Sequence, residues 1–87
     1  MPEINFLNLV NSFCNYFDVK ITQKDLVDIV NTLTMLNFFL GSFKGNDAQL
    51  RSTQVSSYIV YNELIKKGYD IKAESFGETD WNGYLET

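Results

Sequence analysis

Cys14 is the one thiol in this sequence, and no histidine exists anywhere in the chain to activate it. It stands among Phe13, Tyr16 and Phe17, a setting in which a thiol acts as a small hydrophobe. One cysteine allows no intramolecular disulfide, and the lack of histidine rules out a Cys/His zinc site. Asp25 and Asp28 share one helical face, and paired carboxylates can do acid–base work or hold a cation. Lys24 adjoins them, however, and both fall near the start of an expected helix, where acids simply favour the helix dipole. Glu74, Glu78 and Asp80 match no calcium-loop spacing, and there is no phosphate-binding glycine loop or Ser/His/Asp set. These residues imply no catalytic group, no metal and no cofactor, so the expectation is a protein that is not an enzyme.

The distribution of charge is more informative than its total. Residues 1–72 carry seven acids and seven bases, whereas Ala73 to Thr87 hold four carboxylates (Glu74, Glu78, Asp80, Glu86) and no Lys or Arg. The net charge of -4 is therefore the charge of the C-terminal segment. The same segment contains Phe76, Trp81, Tyr84 and Leu85. Carboxylates interleaved with large aromatics suit docking on a basic, partly apolar protein surface, with Trp81 or Tyr84 as anchor. The alternative is that Phe76 and Trp81 fold back on the helices and leave the acids as ordinary solvated groups.

Eighty-seven residues make one domain, spanning 1–87, with a thin stability margin. The expected fold is mainly α. Three bundle-like helices are followed, over 69–87, by a short β-strand and the acidic-aromatic tail. Pro2 and Glu3 suit the first turn of a first helix, and Phe6, Leu9, Val10, Phe13 and Phe17 recur at helical spacing until Asp18 ends it. Thr22 reads as an N-cap with Asp25 at N3, and Ile21 and Leu26 occupy the positions of a hydrophobic staple. A second helix then runs on to Gly45, with Leu26, Ile29, Val30, Leu33, Leu36, Leu40 and Phe43 as its main stripe. Asn46 or Asp47 caps a third helix, whose start is blurred by the Ser/Thr-rich stretch from Arg51 to Ser57. Its apolar face reads as Val55, Tyr58, Ile59, Leu64 and Ile65, and Gly68 is a natural C′ residue. Tyr69, Ile71 and Ala73 then alternate with charged residues as a strand would.

The second helix carries more apolar surface than one domain of this size covers. Phe38 and Phe39 point about 100° apart on a helix, so Met35, Phe38 and Phe39 are the expected interface of a homo-oligomer such as a homodimer. Ile29 to Phe43 is the longest apolar stretch, but polar residues interrupt it and a membrane span needs about 20 apolar residues. Met1-Pro2-Glu3-Ile4 lacks the basic region of a signal peptide, so a cytoplasmic setting is expected.

Residues 21–30 resemble the opening helix of many helix-turn-helix DNA-binding domains, which implies a dimeric transcriptional regulator as one alternative. The next segment, Thr34 to Leu40, offers no Arg, Lys or Gln to base edges or phosphates, and the sequence pI is about 4.5. The leading expectation is a small protein-binding inhibitor, of the type that phages and mobile elements direct against host nucleases or defence complexes. It would sit on a basic surface that otherwise holds nucleic acid, with no direct nucleic-acid or membrane contact of its own. A toxin or bacteriocin immunity protein is the other alternative.

Overall fold

The structure, a computed structural model, describes residues 4–71. Helix accounts for 69% of these residues, in four segments, and no strand occurs among them. The helices are α1 (Phe6–Tyr16), α2 (Gln23–Met35), the short α3 (Asn37–Leu40) and α4 (Ala48–Lys66). The three long helices pack pairwise on one another, and α3 packs on α2 and α4.

The first helix buries the stripe its sequence announces: Phe6, Leu9, Val10, Phe13 and Cys14, with Phe17 just beyond its end. Its start differs from the expectation built on Pro2 and Glu3, which lie outside the described residues. Asn5 is the cap, and its side-chain oxygen accepts from the Asn8 N–H at 3.0 Å. At the other end Asp18 adopts φ 54°. The Val19 N–H bonds the Cys14 carbonyl at 2.8 Å and the Asp18 N–H bonds that of Asn15 at 3.4 Å. This is the Schellman pattern, with an aspartate in the left-handed position that Gly normally takes.

The start of α2 forms as its sequence implies. Thr22 accepts from the Asp25 N–H at 3.2 Å, and Ile21 packs against the core cluster to which buried Leu26 belongs. The expected uninterrupted second helix is corrected by a break. Leu36 leaves the helical well (φ -89°, ψ 3°), and the chain turns into α3 before ending at Gly41. Two features loosen this stretch: the Thr32 and Thr34 hydroxyls bond back to the carbonyls of Asp28 and Val30. Such back-bonding competes with the ladder and bends helices. The turn carries Leu40 into the core, where the buried Ser52 hydroxyl donates to its carbonyl. Gly45, at φ 103°, therefore lies in the loop before α4 rather than at the end of the second helix.

The last helix is continuous through the Ser/Thr-rich stretch. Ser56 and Thr53 bond back to the carbonyls of Ser52 and Gln49, and Ser57 to that of Thr53. With the Ser56 and Ser57 hydroxyls satisfied inside the helix and that of Ser52 at the Leu40 carbonyl, all three face the core as small residues beside Val60 and Leu64. Asp47 stands at the N-cap but makes no side-chain cap bond; it accepts from Arg51 Nε at 3.0 Å instead. Gly68 (φ 91°) closes α4 with the same Schellman pattern, Tyr69 N–H to Leu64 carbonyl and Gly68 N–H to Ile65 carbonyl, each 3.0 Å. The strand expected from Tyr69 is not present in residues 69–71. Lys72 and Ala73 lie outside the described residues. Tyr69 and Ile71 instead pack inward on the helical core.

Candidate interaction surface

The break at Leu36 decides which side chains meet solvent. Because α3 is a single turn that turns Leu40 inward, its other residues must point away from the core. Phe38 is 93% exposed, Met35 83% and Phe39 55%, and Leu36 joins them at the surface. The three residues expected at an oligomer interface thus lie together on one elbow between α2 and α4. No charged residue occurs from Ile29 to Phe43, so nothing ionic interrupts this face.

The apolar surface continues past the elbow. The Phe39 ring stands 5.8 Å from that of Phe43, edge to face. Phe43 in turn lines a groove with Leu50 and Val55, whose polar side is formed by Asp47, Arg51 and Gln54. Asp47 and Arg51 pair with each other at 3.0 Å, and the guanidinium holds the Asp47 carboxyl below its ordinary value of 3.8. Sequence reasoning assigned Leu36 and Phe43 to a core stripe and did not single out Leu50. The charge-free run was the available signal; the turn that exposes Leu36 was not visible in it.

The paired carboxylates Asp25 and Asp28 meet a partner that their own helix does not supply. Lys67, just after α4, places its Nζ 3.8 Å from Asp25 Oδ1 and 3.4 Å from Asp28 Oδ2. The Tyr69 hydroxyl donates to Asp25 Oδ2 at 2.5 Å and accepts from the Thr22 N–H at 3.1 Å. Asp25 is held below its ordinary 3.8, first by the Tyr69 hydrogen bond, with smaller help from Thr22, Lys67 and Lys24 against a partial burial. A carboxylate so engaged is an ionised structural acceptor, not a poised general base.

Cys14 is buried, and burial pushes its thiol up to about 11, so the nucleophilic thiolate is suppressed. Among the described residues, no group of three or more Cys, Asp or Glu is placed to hold a metal ion, and no helix is long and apolar enough to cross a membrane. The expected partner-binding residues Glu74, Phe76, Glu78, Asp80, Trp81, Tyr84 and Glu86 all lie outside the described residues. A scan against protein-family models, a search of curated proteins and a search of solved structures each returned no match.

Proposed function

We propose that this chain is a non-enzymatic protein-binding protein, and in its most concrete form an inhibitor that occupies a basic, nucleic-acid-binding surface of its target. The observation that carries this reading is the segregation of charge. Residues 4–71 hold six acids (Asp18, Asp25, Asp28, Asp47, Glu63, Asp70) and six bases (Lys20, Lys24, Lys44, Arg51, Lys66, Lys67), and so sum to zero. Four of those acids already sit within ion-pair distance of a cation: Asp25 and Asp28 of Lys67, Asp47 of Arg51, and Glu63 of Lys66. The helical body therefore offers a basic partner little uncompensated negative charge.

The excess lies in the segment from Ala73 to Thr87, together with Trp81 and Tyr84. Clustered carboxylates steer the encounter with a positive surface and set its register, while desolvated aromatics supply most of the affinity. Binding of this kind is salt-dependent in rate, because exposed charges more than about 8 Å apart are screened at physiological ionic strength.

The test is capture of partners from the native host by the tagged full chain, followed by mass spectrometry, beside the variant Glu78→Gln/Asp80→Asn/Glu86→Gln. The expected result is a partner with a basic surface, retained by the wild type and lost by the variant, at equal thermal stability of the two proteins. A partner held equally by both would remove the tail from the reading.

A further inference from the structure

We propose that the elbow formed by Met35, Leu36, Phe38 and Phe39 is the contact surface of a homodimer, in which two copies of this chain meet across a two-fold axis. This goes beyond the acidic-tail reading and uses a different face of the molecule.

The choice of occupant rests on charge and on area. A partner selected for a basic surface finds no counter-charge here, because residues 29–43 contain no ionisable group. The flanking groove adds only Asp47 and Arg51, which neutralise each other. A second copy brings an equally charge-free face, so nothing ionic is desolvated unpaired when the two meet. An isologous contact also needs only one self-complementary patch, whereas a heterologous one needs two.

The area is sufficient for such a contact and not generous. Phe38, Phe39, Met35 and Leu36 together expose on the order of 500 Å², given the size of these side chains. Two such faces bury at most roughly 1,000 Å², the lower bound for a specific interface. Rings in the partner's groove beside Phe43, Leu50 and Val55 extend the contact, and the Phe39–Phe43 pair makes the two parts one continuous surface. The dimer is accordingly weak and concentration-dependent, and exposed Phe38 is its central residue.

The experiment is sedimentation equilibrium on the full chain from about 5 to about 500 µM, a range that brackets weak association. The mass is expected to rise from the 10.0 kDa of one chain toward twice that value. Phe38→Glu is expected to weaken association at least tenfold with an unchanged circular dichroism spectrum, since this ring is 93% exposed and packs little against the described residues. Ile65→Glu, on the exposed side of the last turn of α4, is expected to leave the association as it is. A constant single-chain mass overturns the proposal, as does an association that ignores Phe38→Glu.

A second measurement does not depend on any variant. In a half-labelled sample, isotope-filtered nuclear Overhauser effects between Phe38 and Met35 of different molecules support the dimer. Effects on Phe38 from Trp81 or Tyr84 of the same molecule, with the mass constant, overturn it in favour of an intramolecular cover.

Discussion

The Tyr69 hydroxyl stands 2.5 Å from Asp25 Oδ2, joining the residues that follow α4 to the first turn of α2 across 44 positions of sequence. The bond closes a small ring, because Asp25 donates its N–H to Thr22 and Thr22 donates its own N–H to Tyr69. The exposed amides at the start of α2 are thereby satisfied both from its own cap and from the far end of the domain. Two residues on, Ile71 is buried in the core, so both Tyr69 and Ile71 hold the segment after α4 against the helices.

Removal of this hydroxyl has a defined pH signature. Asp25 is lowered in the folded state, chiefly by Tyr69, so it contributes stability that is complete above its unfolded value of 3.8. That contribution is lost as pH falls through the lowered folded value. Tyr69→Phe is expected to raise the Asp25 carboxyl toward 3.8, reduce the melting temperature at neutral pH, and make the loss of stability below pH 3.8 shallower. Some acid slope remains from Asp47, which Arg51 also holds low. Carboxyl carbon titration by NMR and melting curves across the acid range read both effects. An Asp25 titration unmoved by the variant rejects the role given to Tyr69.

Cys14 supplies the opposite limb. Its folded thiol is raised from 9.0 to about 11, so the unfolded chain gives up this proton first. Stability attributable to Cys14 is full below pH 9.0 and is lost between 9.0 and about 11. The native protein is expected to resist a thiol reagent at neutral pH, reacting at the rate at which it opens. Cys14→Ala removes about one methylene's worth of burial, about 1 kcal/mol, and abolishes its share of the alkaline loss. Rapid labelling of the folded protein contradicts the buried assignment.

The two buried serines of α4 that lie one turn apart should behave differently. Ser52 donates outside its own helix, to the Leu40 carbonyl at the end of α3, and so ties the elbow to α4. Ser56 donates to the Ser52 carbonyl one turn back, inside its own helix. Ser52→Ala is expected to cost about 1–2 kcal/mol, the cost of leaving a buried acceptor unmatched. Ser56→Ala is expected to stay within about 0.5 kcal/mol, because alanine's helix propensity offsets the lost bond. Ser56→Leu overfills the contact and costs about 1–3 kcal/mol. Denaturant unfolding of the three variants decides the matter, and equal costs for the two alanine variants would falsify the distinction.

These serines also explain what the sequence concealed. In α1 and its cap the stripe Phe6, Leu9, Val10, Phe13 and Phe17 is legible because large apolar residues mark it, and all five are buried. In α4 the buried stripe is Ala48, Ser52, Ser56, Ser57, Val60 and Leu64. Half of it is polar by residue type, so the apolar period finds buried Leu64 but otherwise settles on Val55, Tyr58, Ile59 and Ile65 at its flank, and fully buried Val60 passes unnoticed. The caps at Thr22 and Gly68 are local chemistry and are readable locally. The Tyr69–Asp25 bond is not, because no pattern within one element encodes a partner in another. The elbow falls between these cases: its uncharged run is plain in the sequence, but the turn at Leu36 depends on where Leu40 finds the core.

Gly68 gives a direct test of how α4 ends. Its φ of 91° lies in the left-handed region, and a Cβ built there meets nothing within 4 Å. The cost of Gly68→Ala therefore arises from the residue's own backbone and not from a clash with neighbours, and is roughly 1–2 kcal/mol. Gly68→Asn should cost less, since asparagine visits this conformation more readily. The corresponding position after α1 already holds a non-glycine residue, Asp18, at the smaller φ of 54°. If the penalty is confined to the cap, the Schellman bonds persist and Tyr69 still reaches Asp25. Both variants should then lower the unfolding free energy while leaving the Asp25 carboxyl below its ordinary range. A loss of stability accompanied by a rise of Asp25 toward 3.8 would show instead that the turn at Gly68 and the Tyr69 bond yield together.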